Sequence, residues 1–180
     1  MKHKLLLMCG IPGSGKSTLA KRLIEENPGA TYVSRDDIRF ALLRGTKEYK
    51  AAFSNRETNN QDEVDYITVN YFSKEKEVYT QFVDKIKEGL INSELTIADA
   101  THLNEGSRSK LLRALGTSLK DIEVDIAVMQ VKLETALKQN DNRKGTISFV
   151  PKKSIEEMFR YLTIPIEEEG FDNIYIFKEK

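Results

Sequence analysis

Eight residues near the start of the chain, Gly10-Ile11-Pro12-Gly13-Ser14-Gly15-Lys16-Ser17, fit the pattern G-x-x-x-x-G-K-[ST] and are followed by Thr18. The pattern demands a particular setting. Its glycines let the backbone curl so that successive N–H groups converge on one set of phosphate oxygens, and the helix that follows adds its positive N-terminal end. Both flanks supply that setting here. Leu5 to Cys9 is a short apolar run of the kind that forms a buried parallel strand, and Ser17 to Glu26 carries Leu19, Ala20, Leu23 and Ile24 at helical spacing before Asn27-Pro28-Gly29. Gly10 to Thr18 are therefore assigned to the binding of a nucleoside triphosphate, ATP, with Lys16 on the outer phosphates and the Ser17 hydroxyl as the ligand of Mg2+.

Such a loop belongs to alternating strands and helices, and the rest of the chain reads that way. Strands are expected at Thr31–Ser34, Leu95–Asp99, Ile122–Met129 and Ile174–Phe177. Helices are expected from Asp36 to Arg44, from Glu105 to Leu115 with Asn104 as cap, and from Leu133 to Asn140. Gln61 to Leu90 reads as one long helix or a broken pair ending at Gly89, and Gly45 to Asn60 has little pattern. A capping box at Ser154-Ile155-Glu156-Glu157 predicts a helix start, after an irregular basic stretch from Arg143 to Lys153. The fold class is α/β: one P-loop domain over residues 1–180, a parallel sheet with helices on both faces, and a helical lid at about 140–153.

Composition narrows the function. Lys plus Arg and Asp plus Glu both number 28, so any contact with a polyanion is a local patch. A single cysteine, Cys9, excludes an internal disulfide and a cysteine zinc site. No apolar run reaches the ~20 residues of a membrane span, and the Leu5–Met8 run leads straight into the loop, which argues against a signal peptide; a cytoplasmic place of action is expected. The D-x-x-G and N-K-x-D elements of switch GTPases are missing. Asp99 ends its strand without the following glutamate that orients a hydrolytic water; Ala100 stands there instead. Transfer to an acceptor hydroxyl explains that better than hydrolysis, because phosphoryl transfer needs mainly positioning and charge neutralisation.

Acceptor chemistry points to Ser34-Arg35-Asp36-Asp37-Ile38-Arg39, at the end of the second strand. A carboxylate there takes the proton of an attacking hydroxyl and an arginine one turn on holds an anion; the plainer reading is acids that cap a helix, with arginines on its solvated face. Asp99 is either an outer-shell magnesium ligand, a second acceptor-site acid or a cap. His102 beside Asn104 reads as structural or as a substrate contact. Arg143-Lys144 is either a lid over the triphosphate or a solvated loop. Tyr66, Tyr71, Phe72 and Tyr79 are spaced as helix-packing residues, with base stacking the alternative.

Taken in order, the Gly10 loop, Asn27-Pro28-Gly29, Arg35-Asp36-Asp37-Ile38-Arg39, Asp99-Ala100-Thr101-His102-Leu103-Asn104 and the Arg143…Gly145-Thr146…Val150-Pro151 segment resemble the phage-type 5′-polynucleotide kinase family, the kinase domain of the T-even phage end-healing enzyme, from residue 1 to about 165. The resemblance implies Asp36 as general base, Lys16 and Arg143 as catalytic cations on the donor phosphates, and Arg39, Asp99, Thr101 and Asn104 at the acceptor. It implies a single-stranded or nicked nucleic-acid end as substrate, the cytosol of an infected host as setting, and an oligomeric state common in that family. Two features depart from the family: its lid begins Arg-Asn where this chain has Gln139-Asn140, and one extra residue separates Arg143 from Gly145. No Asp-x-Asp-Gly-Thr occurs, so 3′-phosphate removal is not expected. The rival acceptors are a hydroxymethyl pyrimidine in DNA, a nucleoside or another small molecule; a nucleotide-binding regulatory module is the rival of another class.

Overall fold

The computed structural model describes residues 3–54 and 60–179. Five strands form one wholly parallel sheet: β1 (Lys4–Cys9), β2 (Thr31–Ser34), β3 (Leu95–Asp99), β4 (Glu123–Gln130) and β5 (Asn173–Lys178), in the order β2-β3-β1-β4-β5. The apolar run of β1 is continuous because both faces are covered. Leu5, Leu7 and Cys9 face one core with Ile38, Val78, Phe82, Ile86, Leu111 and Leu115, whereas Leu6 and Met8 face Ala20, Leu19 and Leu23. The helices on the first face are α2 (Arg35–Arg44), α5 (Glu75–Asn92) and α6 (Glu105–Leu115); α1 (Lys16–Glu26) covers the other. The expected α/β fold with a sheet clothed on both faces is what the chain adopts.

Three local differences from the sequence reading have physical causes. The weakly patterned stretch after Gly45 holds a helix, α3 (Lys47–Phe53), capped by Thr46 Oγ1, which accepts from the Tyr49 N–H at 3.1 Å; the stretch 55–59 lies outside the described residues. The segment from Gln61 is a broken pair, α4 (Asn60–Asn70) and α5, joined by a turn in which Ser73 N–H donates to Asn70 and Glu75 N–H to Phe72. Gly89 does not end α5. It lies inside the helix, where an added Cβ would sit 2.8 Å from Thr96 Oγ1 and 2.9 Å from Thr31 Cγ2, so its role is close approach of helix to sheet.

The last helices, α7 (Leu133–Asp141) and α8 (Lys152–Tyr161), pack around Ile11, Ala136 and Ile155 beside the Gly10 loop. Here too an expectation is corrected: α8 begins at Lys152 behind Pro151, and Ser154 is already inside it rather than capping it. Proline's preset φ and missing N–H suit a helix start.

Candidate functional site

The carboxyl ends of the strands bring the candidate residues together. Register places Met8 opposite Asp99 and Asp99 opposite Ser34. Gly10 and Asp36, each two residues beyond those positions, thus leave strands separated only by β3, about 10 Å apart across the sheet. This is the place where α/β folds bind ligands, because the connections on either side of β1 run to opposite faces.

The loop from Gly10 to Gly15 is tied at its root, where Gly10 N–H donates to the Thr101 carbonyl at 3.0 Å. Gly13 sits at φ +80, and a Cβ there would lie 2.2 Å from the Ala136 carbonyl oxygen, so α7 packs directly on bare backbone. Lys16 begins α1 and is buried; its ammonium donates to the carbonyls of Gly10 (2.8 Å) and Ile11 (2.9 Å). Burial lowers the Lys16 pKa against the opposing charges of Asp99, Asp36 and Cys9, and Arg143 lowers it further. The two acids and the lid arginine singled out in the sequence therefore all bear on one ammonium group.

Ser17 and Thr18 are exposed on the first turn of α1. The Ser17 hydroxyl donates to Asp99 Oδ2 at 3.2 Å, and Tyr32 donates to the same oxygen at 2.6 Å. Asp99 thus faces the loop serine. A hydroxyl backed by a carboxylate is the arrangement that suits Mg2+, which keeps several waters and takes few protein ligands beside phosphate oxygens. No cluster of three or more His, Cys, Asp or Glu able to cage a metal exists among the described residues.

On the acceptor side, the capping reading of the acids is settled by Ser34. Its Oγ accepts from the Asp37 N–H at 3.1 Å and caps α2, leaving the Asp36 carboxylate free of that task. Asp36 is 60% exposed and accepts from Arg39 Nη1 (2.6 Å) and from the Tyr71 hydroxyl (2.9 Å). Arg39, only 5% exposed, also donates from Nη2 to Glu75 Oε2 (2.6 Å), and its guanidinium lies 4.2 Å from the centre of the Tyr71 ring. Glu75 pairs in addition with Arg35. Arg39, expected to grip an incoming phosphate, directs its Nη atoms here to Asp36, Tyr71 and Glu75, because α2, the α4–α5 turn and the start of α5 converge on it. Tyr71 and Glu75 carry no motif signal. Both follow from the break between α4 and α5, which turns the two helix ends toward α2.

The remaining candidates have the following contacts. Asn104 commits its side-chain oxygen to the Ser107 N–H at 2.9 Å and caps α6. Thr101 reaches the loop by its carbonyl. His102, buried at φ +44 with Nδ1 2.7 Å from the Met8 carbonyl, is structural, and burial pushes its pKa down to about 4. Arg143 lies half-buried in the 142–151 loop. That loop is cinched by Asn140, whose amide donates to the Val150 carbonyl (2.8 Å) and accepts from its N–H (3.0 Å). Ile147 of the loop packs on Phe40, Leu43 and Ile67, so the stretch spans from the phosphate side to the acceptor helices. Of the four aromatic residues, Tyr66 packs edge-on against Tyr49 and Phe53, Tyr71 covers Arg39, Tyr79 lies under Lys110, and Phe72 is 72% exposed.

Comparison with known proteins places the chain in a family. The chain is 28% identical over 163 residues to a protein of Autographa californica nuclear polyhedrosis virus named as a bifunctional polynucleotide kinase/RNA ligase; the match covers 89% of this chain and 21% of that protein's length. In a Pnkp1/Rnl/Hen1 RNA repair complex, one chain superposes with a TM-score of 0.61 at 24% identity, covering 89% of this chain and 44% of the other. The PezAT toxin–antitoxin system of Streptococcus pneumoniae shares the fold at a TM-score of 0.69 and 19% identity, with coverage of 99% and 69%. The model of the AAA domain family matches residues 5–165, which include the phosphate loop, both acids and the 142–151 loop, and the chain belongs to that family, with the P-loop kinase fold.

Proposed function

We propose that this domain transfers the γ-phosphate of ATP to the 5′-hydroxyl end of DNA or RNA, with Asp36 as the general base. The observation that carries the reading is the Asp36 carboxylate itself: exposed, held by Arg39 and Tyr71, relieved of helix capping by Ser34, and near enough to the phosphate loop for its charge to act on Lys16. A module that only bound nucleotide would have no use for such a group. The likeness to a viral protein named as a polynucleotide kinase/RNA ligase supports a polynucleotide acceptor, as do the motifs shared with phage-type kinases.

The chain's residues divide the work as follows. Backbone N–H groups of Gly13 to Ser17 hold the donor phosphates, and Lys16 exchanges its carbonyl partners for phosphate oxygens. Ser17 would be the protein ligand of Mg2+, with Asp99 supporting Ser17 through its hydroxyl, and the ion would supply neutralisation of charge on the donor phosphates. Asp36 accepts the proton of the acceptor hydroxyl as its oxygen bonds to the γ-phosphorus and the β–γ bridging bond breaks, releasing ADP. Arg39, neutralised by Glu75, holds Asp36 in place. Arg143 closes from the lid onto the charge that develops on the leaving oxygen. The cytoplasm, as in a phage-infected host, is the expected setting.

Labelled ATP offered with 5′-hydroxyl oligonucleotides, duplex containing hydroxymethyl pyrimidines and free nucleosides tests the acceptor. Label entering only the oligonucleotide ends is the expected result. Asp36→Asn should lower kcat by about 10²–10⁴-fold, the size of a general-base contribution, with ATP affinity nearly intact, and Lys16→Ala should impair binding and transfer together. Equal loss of ATP affinity and transfer in Asp36→Asn would remove the base assignment; label on nucleosides alone would make the enzyme a small-molecule kinase.

A further inference from the structure

Beyond the acceptor hydroxyl, the seam between α5 and α6 gathers Lys110 and Arg113, which neither half-site uses, beside Arg35, which pairs with Glu75. Tyr79 lies one turn after Glu75 on α5, with the Lys110 ammonium 4.4 Å and the Arg35 guanidinium 5.6 Å from its ring centre. Its hydroxyl donates to the Lys110 carbonyl at 3.3 Å, clasping α6 to α5. Arg113, one turn further along α6, is exposed, and its Nε donates to the Ser109 carbonyl of the same helix at 3.3 Å. Lys110 is exposed as well. Arg35 Nε is buried without a hydrogen-bond partner among the described residues. In a chain whose net charge is zero, two cations at one aromatic ring and a third one turn along the same helix are a local positive field. The ring holds the first two there, since a cation over an aromatic face is stabilised without being neutralised. Glu75 pairs with Arg35, and Arg39 shares it.

The position gives the patch its meaning. Arg35 and Asp36 are adjacent in α2, so the line of cations begins beside the proposed general base and runs outward along α6. We propose that this seam carries the backbone of the acceptor polynucleotide, with Arg35, Lys110 and Arg113 meeting successive phosphates on the 3′ side of the hydroxyl that is phosphorylated. This rests on the polynucleotide reading above. It also supplies what the acceptor pocket lacks, given that Arg39 is occupied by Asp36 and Glu75: a means of telling a strand end from a free nucleoside.

The test uses the intact protein, a fluorescent 5′-hydroxyl single strand of ten nucleotides, and a nucleoside 3′-monophosphate. Lys110→Glu with Arg113→Glu should weaken strand binding, measured by anisotropy, by about tenfold or more. In the milder Lys110→Ala/Arg113→Ala variant, the slope of log Kd against log salt should become shallower by about 1.4, two single-strand phosphate contacts. Transfer to the mononucleotide should keep its wild-type kcat/KM, which also reports correct folding. Unchanged strand affinity and salt slope would overturn the proposal, as would equal losses on strand and mononucleotide. A wild type that binds the strand through these residues yet transfers no phosphate would leave the track standing and refute the kinase reading; a wild type that does not bind the strand would refute the track.

Discussion

Replacing Glu75 by glutamine removes the negative charge that holds two arginines, and the consequences can be followed from the contacts. Arg39 is 5% exposed and Glu75 36% exposed. Breaking a fully buried pair costs about 3–5 kcal/mol, whereas an exposed pair contributes about 0–1 kcal/mol. With one partner more than a third open to water, the loss should fall at about 1–2 kcal/mol, or about 2–8 °C in Tm for a chain of this size. Burial raises the Glu75 pKa, but hydrogen bonds and charge from Arg39 and Arg35 outweigh it and leave the carboxyl below its ordinary 4.5. A depressed folded pKa means stability that is present above 4.5 and disappears as pH falls through the folded value. The gap between wild type and Glu75→Gln should therefore be full at pH 7 and close at acid pH, where both side chains are neutral.

The same change bears on catalysis. Without the Glu75 carboxylate, Arg39 loses the partner that fixes it beside Asp36, and kcat should drop by about three- to tenfold with ATP affinity retained. Urea denaturation at several pH values and steady-state kinetics measure the two effects. A stability gap that persists once Glu75 is protonated would refute the ion-pair account. An unchanged kcat beside a real stability loss would show that Arg39 does not act through Asp36.

Two other substitutions or titrations test the frame around the site. His102, buried and pushed down to about 4 from its ordinary 6.5, should keep a neutral imidazole NMR signature from pH 8 to pH 5; because the unfolded chain takes the proton first, stability should fall by about 3 kcal/mol as pH drops from 6.5 to 4. A His102 resonance that titrates near 6.5 would contradict its burial. Gly89→Ala should cost about 1–3 kcal/mol by forcing α5 away from Thr31 and Thr96, read as a lower Tm with ATP affinity unchanged below the transition; a neutral result would mean that the helix yields freely.

The phosphate loop, the alternation of strands and helices and the position of Asp36 at a strand end were legible in the sequence because each depends on neighbours within a few residues. Glycines at set spacing, an apolar run ahead of them and a helix behind describe local backbone geometry. What only the tertiary structure decided is which side chains meet. Asp99 against Ser17 and Tyr32, Arg39 against Glu75, and Tyr79 beneath Lys110 join positions 31–82 residues apart, and no local pattern records such pairings. Gly89 shows the same division: as a letter it resembles a helix stop, and only the presence of two threonines on the facing strands makes it a point of close packing. The reason is physical, since local propensity acts through the chain, whereas the partners of a charge or a ring are set by how the sheet orders its strands.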